Sequence, residues 1–189
     1  MSEIKWNDLK DKAHENAVKH GFWDNKPSDE NFLCLVISEL MEAVEADRKG
    51  KRAYSKEVYN RHIQENHEKY GDDCAGNDLC TFEALIKDTV EDELADAAIR
   101  LLDLAGSNNL NLNRFCLQHV VTAKKRFTEN IYAIVKDLTN YKYSQEEQIN
   151  YALHQVKRLS EILKIDLLWH IEQKMLYNES REKMHGKNY

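Results

Sequence analysis

The chain reads as an all-α protein, a bundle of about five or six helices in one domain spanning residues 1–189. Three observations predict it: one proline and six glycines in 189 residues leave few chain breakers, Leu, Ala, Glu, Lys and Gln recur in long stretches, and apolar residues return at helical spacing. A chain of this length can bury one sizeable core, whereas two independent domains would each be marginal.

A first helix is predicted from about Ile4 to His20, with Ile4, Leu9, Ala13, Ala17 and Val18 as its apolar stripe and Gly21 as its end. The loop Phe22-Trp23-Asp24-Asn25-Lys26-Pro27 follows. Ser28 caps a second helix that begins near Asp29, carries Leu33, Val36, Ile37, Leu40 and Val44, and stops at Gly50. Residues 51–81 turn polar and read as an insertion, with a surface helix over Tyr54 to Tyr70 and a turn-rich loop over Gly71 to Asp78. Val90, Leu94, Ala97, Ala98, Leu101, Leu102 and Ala105 then define another long amphipathic helix, closed by Gly106. Leu110 to Leu138 is a further helical pattern. Tyr141 to Ser144 breaks it, and Gln145 to about Asn178 continues as one long helix or two, ahead of a polar tail from about residue 180.

Composition narrows the function. A net charge of −6, from 33 acidic and 27 basic residues, argues against general binding to nucleic acid backbones, which requires a basic footprint. The longest uncharged apolar run, Asn31 to Ser38, is far too short to span a bilayer, and the first residues carry no apolar signal region. A cytoplasmic protein with no membrane and no nucleic acid partner is expected. Cys34, Cys74, Cys80 and Cys116 show no C-x-x-C spacing and read as reduced structural thiols, two of them within apolar helical patterns.

The carboxylates carry the chemistry. Glu39 and Glu42 stand three apart on the second helix, and Glu93 and Asp96 stand three apart on the helix after the insertion. Residues at i and i+3 share a helix face, so two such helices side by side would present four carboxylates to one hard cation. Both pairs also fall roughly opposite the main apolar stripe, as an ordinary solvated face would. Against that second reading, Leu35 lies beside Glu39 and Ile99 near Asp96, apolar residues that a purely solvated face has less reason to hold.

The stretch Leu35-Val36-Ile37-Ser38-Glu39-Leu40-Met41-Glu42-Ala43, with Glu93-Leu94-Ala95-Asp96-Ala97-Ala98-Ile99-Arg100 after it, resembles the E-x-x-E and E-x-x-D signature of MazG-like all-α nucleoside triphosphate pyrophosphohydrolases. The segment Leu168 to Arg181 is similar to that family's last helix, in which a Lys, an Asn and an Arg face the substrate phosphates. Fainter similarity reaches back through Gly21-Phe22-Trp23. The 50 residues between Glu42 and Glu93 exceed the short hairpin usual there, so substrate preference does not carry over.

The resemblance implies hydrolysis of a nucleoside triphosphate between its α and β phosphates. It further implies magnesium, with manganese as an alternative, held by Glu39, Glu42, Glu93 and Asp96. Glu39 and Glu42 are the candidate catalytic carboxylates, and Glu45 is a neighbour also able to take a proton. Lys174, Asn178 and Arg181, at i, i+4 and i+7, would grip the phosphates, with Lys183, Lys187 and Tyr189 as weaker additions. Phe22 and Trp23 are candidates to stack on a nucleobase, although an aromatic sealing the bundle end fits them equally. A homo-oligomer, dimer or tetramer, is expected, because helices with Leu35 and Ile99 outside the main stripe need a second cover, and the resemblance points the same way. The competing class is a non-catalytic helical adaptor. A di-iron bundle would need two E-x-x-H pairs on core helices, and Glu182 to His185 in the tail is the single match.

Overall fold

Helix-capping chemistry sets most of the boundaries in the computed structural model, which describes residues 4–71, 75–114 and 124–181. Among these are eight helices: α1 Trp6–Lys19, α2 Asp29–Arg48, α3 Lys56–Tyr70, α4 Ala75–Leu85, α5 Val90–Ser107, α6 Phe127–Leu138, α7 Gln145–Ile162 and α8 Leu167–Glu179. The all-α expectation holds, with more and shorter helices than the five or six predicted.

Ser28 caps α2 as expected, its Oγ accepting from the Asn31 amide at 3.3 Å. Gly21 and Gly50 end α1 and α2 at positive φ, 81° and 67°. In each case two backbone bonds close the turn, such as Gly50 N to Asp47 O and Lys51 N to Ala46 O.

Three expectations change. Gly106 does not close α5, which runs on to Ser107. The stop is Asn109, at φ 50°, with Asn109 N bonded to Gly106 O and Leu110 N to Ala105 O. Gly106 is needed for a close approach instead, because a Cβ there would lie 2.5 Å from Cβ of His14 on α1. Within the predicted loop Gly71 to Asp78, Ala75 to Asp78 form the first turn of α4, and residues 72–74 lie outside the described residues. The predicted helix Leu110 to Leu138 shrinks to α6, since Leu110 to Arg114 is non-helical and residues 115–123 lie outside the described residues. The stretch from Gln145 takes the two-helix form of its expectation, dividing into α7 and α8 at Lys164, which takes φ 61° while Ile165 N bonds Ser160 O.

The core is built around α5. Val90, Leu94, Ala95, Ala97, Ala98, Leu101, Leu102, Leu104 and Ala105 are all fully buried, while Asp96, Ile99 and Arg100 are half-buried, so this amphipathic helix is covered on most of its sides. It packs against α2, α1, α8 and α7, and α6 closes the bundle against α7 and α2. Its alanines let the neighbouring helices come close.

The insertion and the residues directly after it form a second, smaller cluster. Tyr59 of α3 and Phe82 of α4 pack with Trp169 and Tyr177 of α8. It is thus built onto the last helix rather than projecting as a purely polar surface. Cys34 and Cys80 are free and exposed, which corrects the expectation that a thiol in the apolar pattern of α2 would be packed inside. Cys74 and Cys116 lie outside the described residues, as do Glu182, Lys183, His185, Lys187 and Tyr189. No helix among the described residues is long and apolar enough to cross a membrane.

Candidate metal and phosphate site

A cavity of about 300 Å³ runs beside α5 and is lined from four helices. Glu39 and Glu42 come from α2, Asp92, Glu93 and Asp96 from the N-terminal half of α5, and Lys174 and Asn178 from α8, with Arg181 just beyond its end. At the other end Ala13, Asn16 and Ala17 of α1, with Phe22, face Ile99, Arg100 and Asp103.

The first member of each acid pair is buried. Glu39 is 6% exposed and Glu93 is 4% exposed, while Glu42 is open to solvent. One carboxylate oxygen from each of these three lies within 4.8 Å of the other two, a spacing that suits one shared cation. Asp96, the fourth expected ligand, is not in that group. Its Oδ2 lies 2.6 Å from Nζ of Lys174.

Burial and mutual repulsion dominate the electrostatics. Glu93 is pushed up to about 9, first by burial and then by Asp96 and Asp92. Glu39 is raised by burial and Asp96, against the pull of Arg100, whose Nε donates to Glu39 Oε1 at 2.5 Å. Asp92 is raised by burial while Lys174 pulls it back. Burial favours the neutral amine of Lys174, yet Asp96 and Asp92 hold its ammonium above the ordinary lysine value. These two directions oppose each other across one contact, and the surrounding carboxylate oxygens decide in favour of a charged Lys174.

The candidate phosphate residues divide. Lys174 is buried and its Nζ donates to Oδ1 and Oδ2 of Asp92 at 2.9 and 3.0 Å. Asn178 is buried on the cavity wall, and its Oδ1 has no hydrogen-bond partner. Arg181 lines the cavity and lies over the Tyr177 ring, 5.5 Å from its centroid.

The aromatic pair divides too. Phe22 lines the cavity. Trp23 stacks on Phe32 with centroids 4.4 Å apart, and its Nε1 donates to Asp103 Oδ1 at 2.9 Å. Nδ1 of His14 is 2.8 Å from that same oxygen, so Trp23 and His14 brace one buried carboxyl, which burial lifts to about 6. Glu45 is exposed and occupied by Arg48 and Lys49, away from the cavity.

Sequence reasoning missed Asp92, Arg100 and Asp103. A signal was present for Arg100 and Asp103, which follow Asp96 at i+4 and i+7 and so continue its face toward α1. No protein-family model, curated protein or solved structure matches this chain.

Proposed function

We propose that the chain is a magnesium-dependent nucleoside triphosphate pyrophosphohydrolase of the MazG-like kind. The observation that carries this reading is the convergence of Glu39, Glu42 and Glu93 on one point of a cavity that Asn178 and Arg181 also line. Hydrolysis adds water across the bridge between the α and β phosphates and yields monophosphate and pyrophosphate.

The donor set fits the ion. Carboxylate oxygens suit a hard cation, and the crowding of Glu93 by Asp96 and Asp92, which with burial raises it well above the usual carboxylate range, is relieved by an added positive charge. Bound magnesium would neutralise phosphate oxygens and orient the attacking water. Manganese has the same ligand preferences.

The chain's own residues supply the rest. Arg100 fixes one oxygen of Glu39 and so holds that carboxylate toward α5. Glu42 is exposed, with Ser38 Oγ donating to its Oε1 at 3.3 Å, and is the carboxylate placed to receive a proton from water entering from solvent. Arg181 contributes a permanent charge for the polyphosphate. Phe22 and the α1 wall of the cavity offer an apolar surface for the base. Cytoplasmic location, and the exclusion of nucleic acid partners, remain part of this proposal and rest on composition.

The test is a panel of ribo- and deoxynucleoside triphosphates incubated with protein and magnesium. Pyrophosphate release from at least one, without orthophosphate, is expected. Silence across the panel, together with no magnesium or nucleotide binding by calorimetry, would favour the helical adaptor.

A further inference from the structure

The α1 end of the cavity holds a carboxylate that the metal and phosphate residues leave unused. Asp103 lines the cavity from α5 and is 6% exposed. Its Oδ1 accepts from Trp23 Nε1 at 2.9 Å and lies 2.8 Å from Nδ1 of His14. Both partners hold the same oxygen, and among the described residues Oδ2 accepts no hydrogen bond. Arg100, whose charge also acts on Asp103, is committed through Nε to Glu39. A largely desolvated carboxylate oxygen with no protein donor favours a ligand that brings one.

A second acceptor comes from the α1 wall. Oδ1 of Asn16 is buried, has no hydrogen-bond partner, and belongs to a residue that lines the same cavity. Phe22 and Phe32 line this end as well, so the two acceptors stand among aromatic side chains suited to a planar ring. At 1.5 Å per residue, Asp103 lies about 10 Å beyond Asp96 and about 15 Å beyond Glu93 along α5. A nucleotide whose α phosphate sits at those acids keeps its sugar close to them, and the edge of its base is the part that extends so far.

We infer that Asp103 is a specificity-determining residue that selects a base carrying an exocyclic amino group, and that Trp23 and His14 are positioning residues that leave its Oδ2 to the cavity. This rests on the proposed nucleotide site. The amino group of cytosine or adenine donates to such an oxygen, whereas the carbonyl in the same place on uracil or hypoxanthine sets oxygen against oxygen.

The decisive variant is Asp103→Asn. An indole N–H is a donor only, so the introduced amide must keep its oxygen toward Trp23 and turn its NH2 to the cavity. One acceptor thereby becomes a donor with almost no change in volume. Calorimetry with magnesium at about pH 8, where a carboxyl lifted by burial to about 6 is ionised, is run on wild type and the variant, each checked for folding by its melting curve. The ligands are the non-hydrolysable α,β-imido analogues of dCTP and dUTP, of dATP and dITP, and of CTP.

Wild type should bind the amino member of at least one base pair of analogues about tenfold or more tightly than its carbonyl counterpart. Asp103→Asn should bind the carbonyl member of that pair at least as tightly as the amino member. A purely structural role would weaken both members alike and leave their ratio unchanged. Equal binding of both members by wild type, tighter binding of the carbonyl member, or an unchanged ratio in folded Asp103→Asn would each overturn the inference. A variant that changes only the ratio of the CTP and dCTP analogues would overturn it too, because the carboxylate would then read the sugar. Should the variant not fold, the wild-type ratio decides alone. Binding of no analogue by wild type would remove the nucleotide reading itself, whereas binding without base preference removes this inference only.

Discussion

Glu93 is the carboxyl on which the site's charge imbalance falls most heavily. It is 4% exposed and is raised from 4.5 to about 9 by burial and by Asp96 and Asp92. An acid raised in the folded state binds its proton more tightly folded than unfolded, so it stabilises the fold fully below its unfolded value. That contribution is lost as pH rises from about 4.5 through about 9. Glu39, Asp92 and Asp103 are raised as well, and their slopes have the same sign. The metal-free protein should therefore melt at progressively lower temperature between about pH 5 and pH 9. Glu93→Gln should flatten the slope by up to about 1.4 kcal/mol per pH unit. A melting temperature that rises with pH over this range, or an unchanged slope in the variant, would contradict the assignment of Glu93 as a buried, crowded acid. The i, i+3 spacing identified Glu39, Glu42 and Glu93, but spacing carries no information on burial. The sequence therefore left open whether these acids faced water, and it passed over Asp92 beside Glu93. It also carries no sign that Lys174, which shares a helix face with Asn178 and Arg181, meets Asp92 and Asp96 of the neighbouring helix.

At the scale of elements, the ends carried by Ser28, Gly21 and Gly50 were legible, and those carried by Asn109 and Lys164 were not. Ser28, Gly21 and Gly50 announce their roles by residue type. Asn109 and Lys164 adopt positive φ in closures of the same kind, and nothing in a lysine advertises this. Gly106 is the counterpart: a glycine that reads as a stop but serves the crossing of α1 over α5. Gly106→Ala isolates that role. In an open helix the exchange would stabilise by roughly 0.5–1 kcal/mol. Here the new Cβ would meet His14 Cβ at 2.5 Å and the Lys10 carbonyl oxygen at 3.2 Å, and displacing α1 should cost about 1–3 kcal/mol. Chemical denaturation should show net destabilisation, and a more stable Gly106→Ala protein would mean that the close approach is absent. The surface helix expected over Tyr54 to Tyr70 is α3, whereas α4 was hidden, since its apolar residues serve a small cluster with α8 and do not form a long stripe.

For the whole molecule, burial assigns α5 to the centre, α2 and α8 to the two sides of the proposed site, and the insertion to the outer side of α8. The expectation of a homo-oligomer needs revised support. Ile99 packs against the main core and requires no second copy, whereas Leu35 is half-buried, and Tyr132 and Leu176 are 69% and 60% exposed. A dimer or tetramer by light scattering at micromolar concentration remains the expected result, and a monomer would leave these side chains as ordinary surface residues. The proposed function depends on something narrower, that the carboxylates of α2 and α5 act together through a metal. The most direct test is pyrophosphate release with magnesium by wild type, Glu39→Gln and the exposed control Glu68→Gln, each checked for folding by its melting curve. Release is expected from wild type and Glu68→Gln, with a loss of at least about a hundredfold in a folded Glu39→Gln protein, since the lost charge is a metal ligand. Near-normal turnover in Glu39→Gln, or no release by wild type, would contradict the metal-dependent reading.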